Sequence, residues 1–301
     1  MSESSYLSIT KCITCDASQQ KRVLVIEDHL VSHEVFHLEE CTRCKFRYIS
    51  NPPTEDLAYK YYETDEYVEH SDSSEGIVNT IYHYARRWMI RHKHGLLKAE
   101  GRTMKLLDFG TGTGYFINAM RDFGYDVMGV EISPKARAFC KSSFNLDVRD
   151  PQDIFKDDFP SGFGYITFWH VLEHVYDPEK SLKRLGDLLE DDGVLVIALP
   201  NYRCVEAHTY GSYWNGYDVP RHIWHWDKES FTRFAENCGY RVKKIKILPL
   251  DPFYNCLISE SYRKKKWAYL FIPFIGMWSL IKGLASNREA SSIIYFLEKS
   301  T

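Results

Sequence analysis

The sequence predicts an α/β fold: a seven-stranded, mostly parallel sheet with helices on both faces. From about residue 103, short apolar segments alternate with amphipathic ones, and glycine-containing turns separate them. The apolar segments lack the polar alternation of a sheet with one wet face, so both faces are expected to be covered. Regular strand–helix alternation is typical of a doubly covered parallel sheet.

Seven apolar segments are predicted strands, and amphipathic segments between them are predicted helices. The helices include YFINAMRDFG (115–124) and PEKSLKRLGDLLEDDG (178–193). The strands are KLLDF (105–109), DVMGVE (126–131), NLDV (145–148), YITFW (165–169), VLVIAL (194–199), RVKKIKIL (241–248) and SIIYFLEK (292–299).

Length and composition are those of one large domain with appendages. The 301 residues are 44% hydrophobic and 26% charged, with a net charge of −3. That balance gives no general attraction to nucleic acid. The start MSESSYLSITK lacks the apolar core of a signal peptide, so a cytoplasmic location is expected. The predicted units are 1–52, a zinc-ribbon-like unit; 53–100, a helical linker region; 101–250, the core; 251–290, a hydrophobic insertion; and 291–301, the final strand of the core.

Four of the eight cysteines form two C-x-x-C pairs, Cys12 with Cys15 and Cys41 with Cys44. The segment between the pairs is rich in β-branched residues and predicts hairpin strands. Two such knuckles supply four thiolates to a tetrahedral zinc ion, so a structural zinc ribbon is predicted. A ribbon fold without its metal is the alternative.

A glycine loop follows the first strand of the core in LLDFGTGTGYF. Gly110, Gly112 and Gly114 allow a sharp turn and a close approach of the backbone to a ligand. A dinucleotide fingerprint needs its third glycine at position 115, where Tyr115 stands. Glu131, at the end of the second strand, has the spacing of a carboxylate that binds both ribose hydroxyls of a nucleoside. Alone, it could equally be only a strand end.

L-D-x-G-x-G-x-G followed by an acidic strand end resembles the class I S-adenosylmethionine-dependent methyltransferases over roughly residues 80–250. HVLEHVYDP, VLVIALPN, the cysteine pairs and DVPRHIWHW are similar to their Methyltransf_23-type branch, with its N-terminal zinc ribbon. The resemblance implies a Rossmann-like core, S-adenosylmethionine as the cofactor and methyl transfer as the activity.

The resemblance also implies which residues hold the cofactor. Asp108 and the loop 110–114 would hold its methionine part, Glu131 its ribose, and Asp150 its adenine amino group. Pro151 departs from the usual pattern because it has no N–H to offer the adenine ring. The complete predicted set is Asp108, Gly110, Thr111, Gly112, Gly114, Tyr115, Glu131, Ile132, Asp150 and Trp169.

WHVLEHVYDP places His170, Glu173 and His174 in an H-x-x-E-H pattern, which also occurs in zinc proteases, where it lies on a helix. Here His170 is expected at the end of the fourth strand, facing the ligand edge of the sheet. Three roles remain open. His170 could act as a general base with an ordinary pKa of about 6.5. The three residues could bind a divalent cation, as E-x-x-E-H does in similar quinone O-methyltransferases. Glu173 and His174 could only cap the next helix.

The segment DVPRHIWHW (218–226) is predicted to close over the methyl acceptor. Arg221 would pair with a phosphate or carboxylate, His222 would join the catalytic group, and His225 and Trp214 would contact the acceptor. A packed cap with buried histidines is the alternative.

The resemblance favours O-methylation of a glycan in cell-envelope polysaccharide biosynthesis, and a lipid-linked sugar, a quinone-like lipid or another small molecule is the alternative acceptor. A nucleotide-sugar C-methyltransferase is the nearest alternative. A zinc-ribbon RNA-modifying or RNA-binding protein is an alternative of another class, supported only by the basic stretch 86–98. A relative that binds the cofactor without catalysis is a third.

The segment 262–283 carries an uncharged 15-residue run from Trp267 to Ile281, interrupted by Pro273 and Gly276. Such a run is too short and too kinked to cross a bilayer, which takes about 20 apolar residues. Basic residues flank it, and its aromatic residues favour the lipid interface. A peripheral contact with the inner face of the membrane is therefore predicted. A buried helical hairpin or a dimer interface is the alternative.

Overall fold

The computed structural model describes residues 5–62 and 77–300. Within these ranges eleven strands form two sheets. The strands are β1 (Gln20–Glu27), β2 (Val35–Cys41), β3 (Arg47–Ile49), β4 (Lys105–Phe109), β5 (Asp126–Val130), β6 (Val148–Arg149), β7 (Phe163–Trp169), β8 (Leu189–Pro200), β9 (Trp224–His225), β10 (Tyr240–Ile247) and β11 (Ser292–Lys299).

Eight α-helices and several short 3-10 helices connect the strands in the described residues. The helices are α1 (Ile77–Lys98), α2 (Tyr115–Asp122), α3 (Pro134–Phe144), α4 (Pro178–Leu188), α5 (Val205–Tyr210), α6 (Lys228–Asn237), α7 (Asp251–Arg263) and α8 (Ile272–Ala285). Three of them, α3, α4 and α6, have a side-chain N-cap. Ser133, Asp177 and Asp227 accept hydrogen bonds from N–H groups of the first helical turn.

The large sheet has the order β10-β11-β8-β7-β4-β5-β6 and confirms the predicted seven-stranded core. Strands β8, β7, β4, β5 and β6 pair in parallel, whereas β11 is antiparallel to both of its neighbours. Successive residues of its central strands enter different cores. Leu106 and Val196 belong to one, and Leu107 and Ile197 belong to the other. Both faces of the sheet are therefore buried, as their continuous apolar sequences indicate.

The small sheet has the order β1-β2-β3-β9. Its first two strands are the predicted hairpin between the cysteine pairs. Its last strand was not predicted, and it comes from the far end of the core: Arg47 lies opposite His225, and Tyr48 lies opposite Trp224. The N-terminal unit and the DVPRHIWHW segment thus share one sheet.

Three element boundaries differ from those predicted. The helix expected over 178–193 ends at Leu188, because the next residues already form the start of β8. The strand expected at 145–148 begins only at Val148, because Asn145 ends α3 with a left-handed φ of 51°. In the predicted helical region 53–100, a 3-10 helix spans Glu55–Tyr61 and α1 begins at Ile77. Residues 63–76 lie outside the described part.

The predicted hydrophobic insertion lies between the last two strands of the core. It contains α7, a 3-10 turn over Lys266–Phe271, and α8, and then returns to β11. Strands β10 and β8 run in the same direction, since each is antiparallel to β11. The chain therefore leaves β10 at the same sheet edge as the loops that follow β4, β5 and β7.

Candidate functional site

The glycine loop between β4 and α2 leaves space above its backbone. Gly112 has a φ of 56°, and no atom of the described residues lies within 4 Å of where its Cβ would stand. Gly110 is the opposite case, because a Cβ there would lie 2.3 Å from Cγ2 of Val171. The first position needs glycine for its conformation and the second also for close packing.

Asp108 lies at the base of this loop and is almost completely buried. The hydroxyls of Thr167 and Thr111 donate to its carboxylate at 2.6 and 2.9 Å. Burial nevertheless outweighs these bonds and raises the pKa of Asp108 to about 6. Its carboxylate is held rigidly below the loop.

Glu131 follows β5 and links the loop to the next helix. Its carboxylate accepts hydrogen bonds from the backbone N–H groups of Gly112 (2.8 Å) and Ser133 (2.9 Å). Beside it, the Ile132 side chain is 70% exposed. An open backbone, a fixed carboxylate and an exposed apolar side chain at one edge fit a nucleoside ligand such as S-adenosylmethionine.

The remaining predicted cofactor residues border the same edge. Asp150 pairs with Arg137 at 3.1 Å and caps the 3-10 turn that follows it. The guanidinium of Arg86 lies 3.8 Å from the centre of the Tyr115 ring. The indole Nε1 of Trp169 is buried and has no hydrogen-bond partner among the described residues.

Lys93, on α1, was missed by the sequence analysis. Its ammonium lies 4.1 Å from the centre of the Trp169 ring and faces Asp108 and Asp251. Burial lowers the pKa of Lys93 to about 8, although both carboxylates oppose this shift. The only signal in the sequence is its place in the basic stretch 86–98, which by itself favours an RNA contact instead.

The H-x-x-E-H segment is not an α-helix. His170 follows β7 with a left-handed φ of 60°, and Leu172–His174 form one turn of 3-10 helix. This geometry differs from the helical protease motif. The capping role is also wrong, because α4 begins later and Asp177 caps it.

His170 is more basic than a neutral general base should be. Its Nε2 lies 3.1 Å from Oδ2 of Asp251, and its Nδ1 lies 3.6 Å from Oε1 of Glu173. Burial opposes its charge, but the two carboxylates outweigh burial and raise the pKa of His170 to about 9. The expected ordinary pKa is therefore corrected: the imidazole is protonated at neutral pH. Asp251 had not been predicted, although the loop after β10 opens at this edge.

Glu173, His174 and His222 form a compact cluster whose potential ligand atoms lie within 4.8 Å of one another. Glu173 is 1% exposed, and neither carboxylate oxygen has a hydrogen-bond partner in the part of the chain that the structure describes. Nδ1 of His222 lies 2.9 Å from the carbonyl oxygen of Gly216, and Nδ1 of His174 lies 3.0 Å from the hydroxyl of Tyr62. Such outer contacts orient histidines that bind a metal through Nε2. In this cluster His222 takes the place expected for His170.

The charges around the cluster suit a cation. Burial, followed by the neighbouring His222, lowers the pKa of His174 to about 4, so its imidazole is neutral. Burial disfavours the ionised form of Glu173, yet His170 and His222 hold its pKa below the usual range. One ionised carboxylate and a neutral imidazole are ligands that a divalent transition metal accepts.

Arg221 is committed to internal contacts. It donates to Asp28 at 2.9 Å, to Asp218 at 2.6 Å and to the carbonyl of Tyr61 at 2.9 Å. Its side chain is only 6% exposed. The predicted contact with an acceptor phosphate is therefore replaced by a buried ion pair. His225 is also buried, as is Trp214 just before the segment, so this part of the segment 218–226 is a packed cap.

The four paired cysteines converge on one point. Cys12 and Cys44 have their sulfurs 3.5 Å apart, and Cys15 and Cys41 have theirs 3.6 Å apart. Four thiolates bound to zinc at about 2.3 Å in a tetrahedron would lie roughly 3.8 Å apart. All four thiols are free, and the separations suit a metal rather than disulfides.

Comparison with known proteins identifies the family of the core domain. The model of the Methyltransf_23 family, described as a methyltransferase domain, matches residues 81–245, more than half of the chain. An uncharacterized methyltransferase of Staphylococcus carnosus is 36% identical over 101 residues, which cover 33% of this chain and 47% of that protein. A ubiquinone biosynthesis O-methyltransferase of Coxiella burnetii is 30% identical over 112 residues, 35% of this chain and 47% of that protein. The chain spans about half the length of these curated relatives.

A solved structure of a methyltransferase from Archaeoglobus fulgidus aligns with a TM-score of 0.48 at 18% identity, covering 71% of this chain and 94% of that one. The order and directions of the strands define the fold in their own right. The glycine loop and Glu131 lie at the carboxyl edge of that sheet, and the chain belongs to the Methyltransf_23 methyltransferase domain family.

Proposed function

We propose that this enzyme transfers a methyl group from S-adenosylmethionine to an oxygen of a small-molecule acceptor. The observation that carries the proposal is the meeting of two clusters at one sheet edge. The glycine loop with Glu131 follows β4 and β5, and the cluster of Glu173, His174 and His222 lies beyond β7. In open α/β sheets, ligands bind beyond the carboxyl ends of such strands.

The cofactor half of the site binds and orients. When bound, S-adenosylmethionine supplies an electrophilic methyl group. Glu131 would accept hydrogen bonds from the ribose hydroxyls, and Ile132 would cover one face of the adenine. Asp108 would fix the loop that faces the methionine part. Much of the rate enhancement would come from holding the methyl group in line with the acceptor oxygen.

The acceptor half is proposed to hold a divalent cation through Glu173, His174 and His222. A bound cation would polarise the acceptor hydroxyl, and the proton of that hydroxyl would pass to solvent water as its oxygen takes the methyl group. His170, protonated and held by Asp251, would orient Glu173 and the acceptor. This differs from the expected set in which His170 was itself a ligand.

The acceptor is proposed to be a glycan or lipid-linked molecule with a free hydroxyl, methylated in the cytoplasm or at the inner face of the membrane. Relatives named ubiquinone biosynthesis O-methyltransferase favour oxygen as the methylated atom. Transfer to carbon in a nucleotide sugar is the alternative outcome of a product analysis.

Residues 1–52 are proposed as a structural zinc unit held by the four paired cysteines. A unit of this size has too little apolar surface to fold securely alone, so metal binding would add folding energy.

The first experiment is calorimetry with S-adenosylmethionine and S-adenosylhomocysteine. Binding of both ligands is expected, and absence of binding to both would overturn the proposed cofactor site. Labelled S-adenosylmethionine incubated with fractionated cell extract would then identify the acceptor, and mass spectrometry of the product would identify the methylated atom.

The cation is tested separately with Mn²⁺. Glu173→Gln should weaken Mn²⁺ binding at this site about tenfold or more, because it removes the single ionised ligand. Glu179→Gln, on the exposed surface of α4, is the matched control. Equal Mn²⁺ affinity of the two variants would show that Glu173 does not bind the metal.

A further inference from the structure

Helix α8 and the turn before it expose large apolar side chains to solvent. Leu270 is 75% exposed, Phe274 73% and Leu284 68%. Five exposed residues of α8 lie three or four positions apart along one face: Phe274, Met277, Trp278, Ile281 and Leu284. Trp267 and Phe271 extend this apolar face along the preceding turn.

The opposite face of α8 carries small residues and packs on the protein. A Cβ on Gly276 would lie 2.6 Å from the ring of Phe253, and one on Gly283 would lie 2.9 Å from Ala290. Between them, the hydroxyl of Ser279 donates to the buried carboxylate of Glu206 at 2.5 Å. A helix at a water surface normally turns its large apolar residues inward, and this one does the reverse.

The segment that carries the apolar face has only basic charged residues, although Glu260 and Glu289 just outside it pair with Arg263 and Lys282 at 3.2 and 3.6 Å. Residues 261–288 contain no Asp or Glu and six basic residues. Lys264 and Lys265 are exposed at the start of the apolar face. Near its other end, Nζ of Lys282 lies 5.5 Å from the centre of the Trp278 ring. Apolar and aromatic side chains with a basic border complement an anionic lipid surface.

We propose that the apolar face of α8, with the turn 266–271, docks in the plane of an anionic phospholipid bilayer. Contrary to the expectation that this segment is too short to cross a bilayer, the 19 residues Trp267–Ala285 are long and apolar enough to span a membrane by length and composition. A membrane-spanning arrangement, however, would break the contacts of Gly276, Ser279 and Gly283. It would also remove the hydrogen bond that Ser279 donates to the buried carboxylate of Glu206. Lying in the interface keeps these contacts and buries only the outward side chains.

This surface is directly connected to the candidate acceptor site. Helix α7 begins at Asp251, which contacts His170, and two residues later its Phe253 packs against α8. Docking would therefore bring the acceptor half of the site close to the lipid. Membrane binding itself is independent of methyl transfer, whereas access to a lipid-linked acceptor rests on the proposed function.

The test is flotation of the purified full chain with vesicles of phosphatidylcholine, alone or mixed with phosphatidylglycerol. The protein should float with the mixed vesicles at low salt and float less at high salt. The double variant Leu270→Glu, Phe274→Glu should reduce the bound fraction about tenfold or more. Val35→Glu is the matched control, since Val35 is 54% exposed on β2, in the small sheet, and should leave flotation unchanged.

Each other result contradicts the proposal. If the unmodified chain stays below the vesicles at low salt, the apolar face does not meet lipid. If sedimentation shows a dimer that the double variant dissociates, and vesicles do not compete with it, a second copy covers the face. Retained binding of S-adenosylmethionine by the double variant would show that it is folded, and would separate failure of docking from failure of the methyl-transfer proposal.

Discussion

At the scale of single residues, the carboxylate of Glu131 accepts hydrogen bonds from two backbone N–H groups, those of Gly112 and Ser133. Glu131→Ala would remove these bonds and the proposed ribose acceptor together. A hydrogen bond to a charged group contributes about 1.5–3 kcal/mol, so we expect affinity for S-adenosylmethionine to fall roughly 10- to 150-fold. Calorimetry measures it. Glu179→Ala, an exposed carboxylate on α4, is the control, and equal affinities would contradict the assignment.

The ion pair of Asp28 and Arg221 predicts a pH dependence of stability. Burial opposes the charge of Asp28, but Arg221 and Ser32 hold its pKa below the usual value. A carboxyl group with a lowered pKa stabilises the fold at pH values above its unfolded pKa of about 3.9, and this stabilisation disappears as pH falls through the folded pKa. Asp28→Asn should therefore lower the free energy of unfolding at neutral pH by about 3–5 kcal/mol.

Urea unfolding at a series of pH values measures the difference in the free energy of unfolding between the unmodified chain and Asp28→Asn. This difference should narrow below about pH 4. Asp192→Asn is the control, because Asp192 is 67% exposed in its pair with Arg102. A surface pair contributes about 1 kcal/mol or less. A difference for Asp28→Asn that stays constant down to low pH would exclude the titration of Asp28 as its cause.

The candidate site could be predicted from the sequence only where neighbours along the chain define it. The spacing of Asp108, the glycine loop and Glu131 depends on one βαβ unit, and the structure brings them together at one edge. The contacts of His170 with Asp251 and of Glu173 with His222 join residues far apart in the sequence. Only the packed structure could show that Asp251 raises the pKa of His170.

At the scale of elements, two glycines give a matched pair. Gly110 has a φ of 75° and no room for a Cβ beside Val171, whereas Gly95 lies within α1 with no described atom within 4 Å of its Cβ position. Gly110→Ala should destabilise the protein and weaken cofactor binding. Gly95→Ala should stabilise it by about 0.5–1 kcal/mol, as alanine does within a helix. Thermal unfolding measures both, and a neutral Gly110→Ala would contradict the packing argument.

Most strands of the core could be predicted because they are apolar throughout and buried on both faces. The boundary between α4 and β8 could not, since LEDDG continues a helix-like polar pattern and pairs with β7 only at Leu189 before the register shifts. Strand β9 is two residues long, so its sequence carries no usable periodicity. Residues 224–225 form a strand because they pair with β3, which lies far away in the sequence.

At the scale of the whole molecule, the cysteine cluster is continuous with the core. Phe46, between Cys44 and β3, packs 4.7 Å from Trp226, measured between ring centres. Removal of the proposed zinc should therefore change tryptophan fluorescence as well as stability. A loss of about 1 kcal/mol in the free energy of unfolding lowers Tm by roughly 2–4 °C in chains of a few hundred residues. We therefore expect chelation to lower Tm by about 5 °C or more.

Cys15→Ser should reproduce this loss without a chelator. Cys238→Ser, a buried cysteine outside the cluster, should leave the response to the chelator unchanged. A zinc content of zero in the purified protein, with the same Tm before and after chelation, would contradict a structural metal.

The pairing of β3 with β9 also sets an order of events during synthesis. The ribosome makes β1, β2 and β3 first, but their partner at 224–225 emerges only after most of the methyltransferase core. Until then β3 presents an open edge, which is a template for pairing with other chains. The first sheet to leave the ribosome is thus among the last to close, and the nascent chain depends on its own later core, or on a chaperone, to protect that edge.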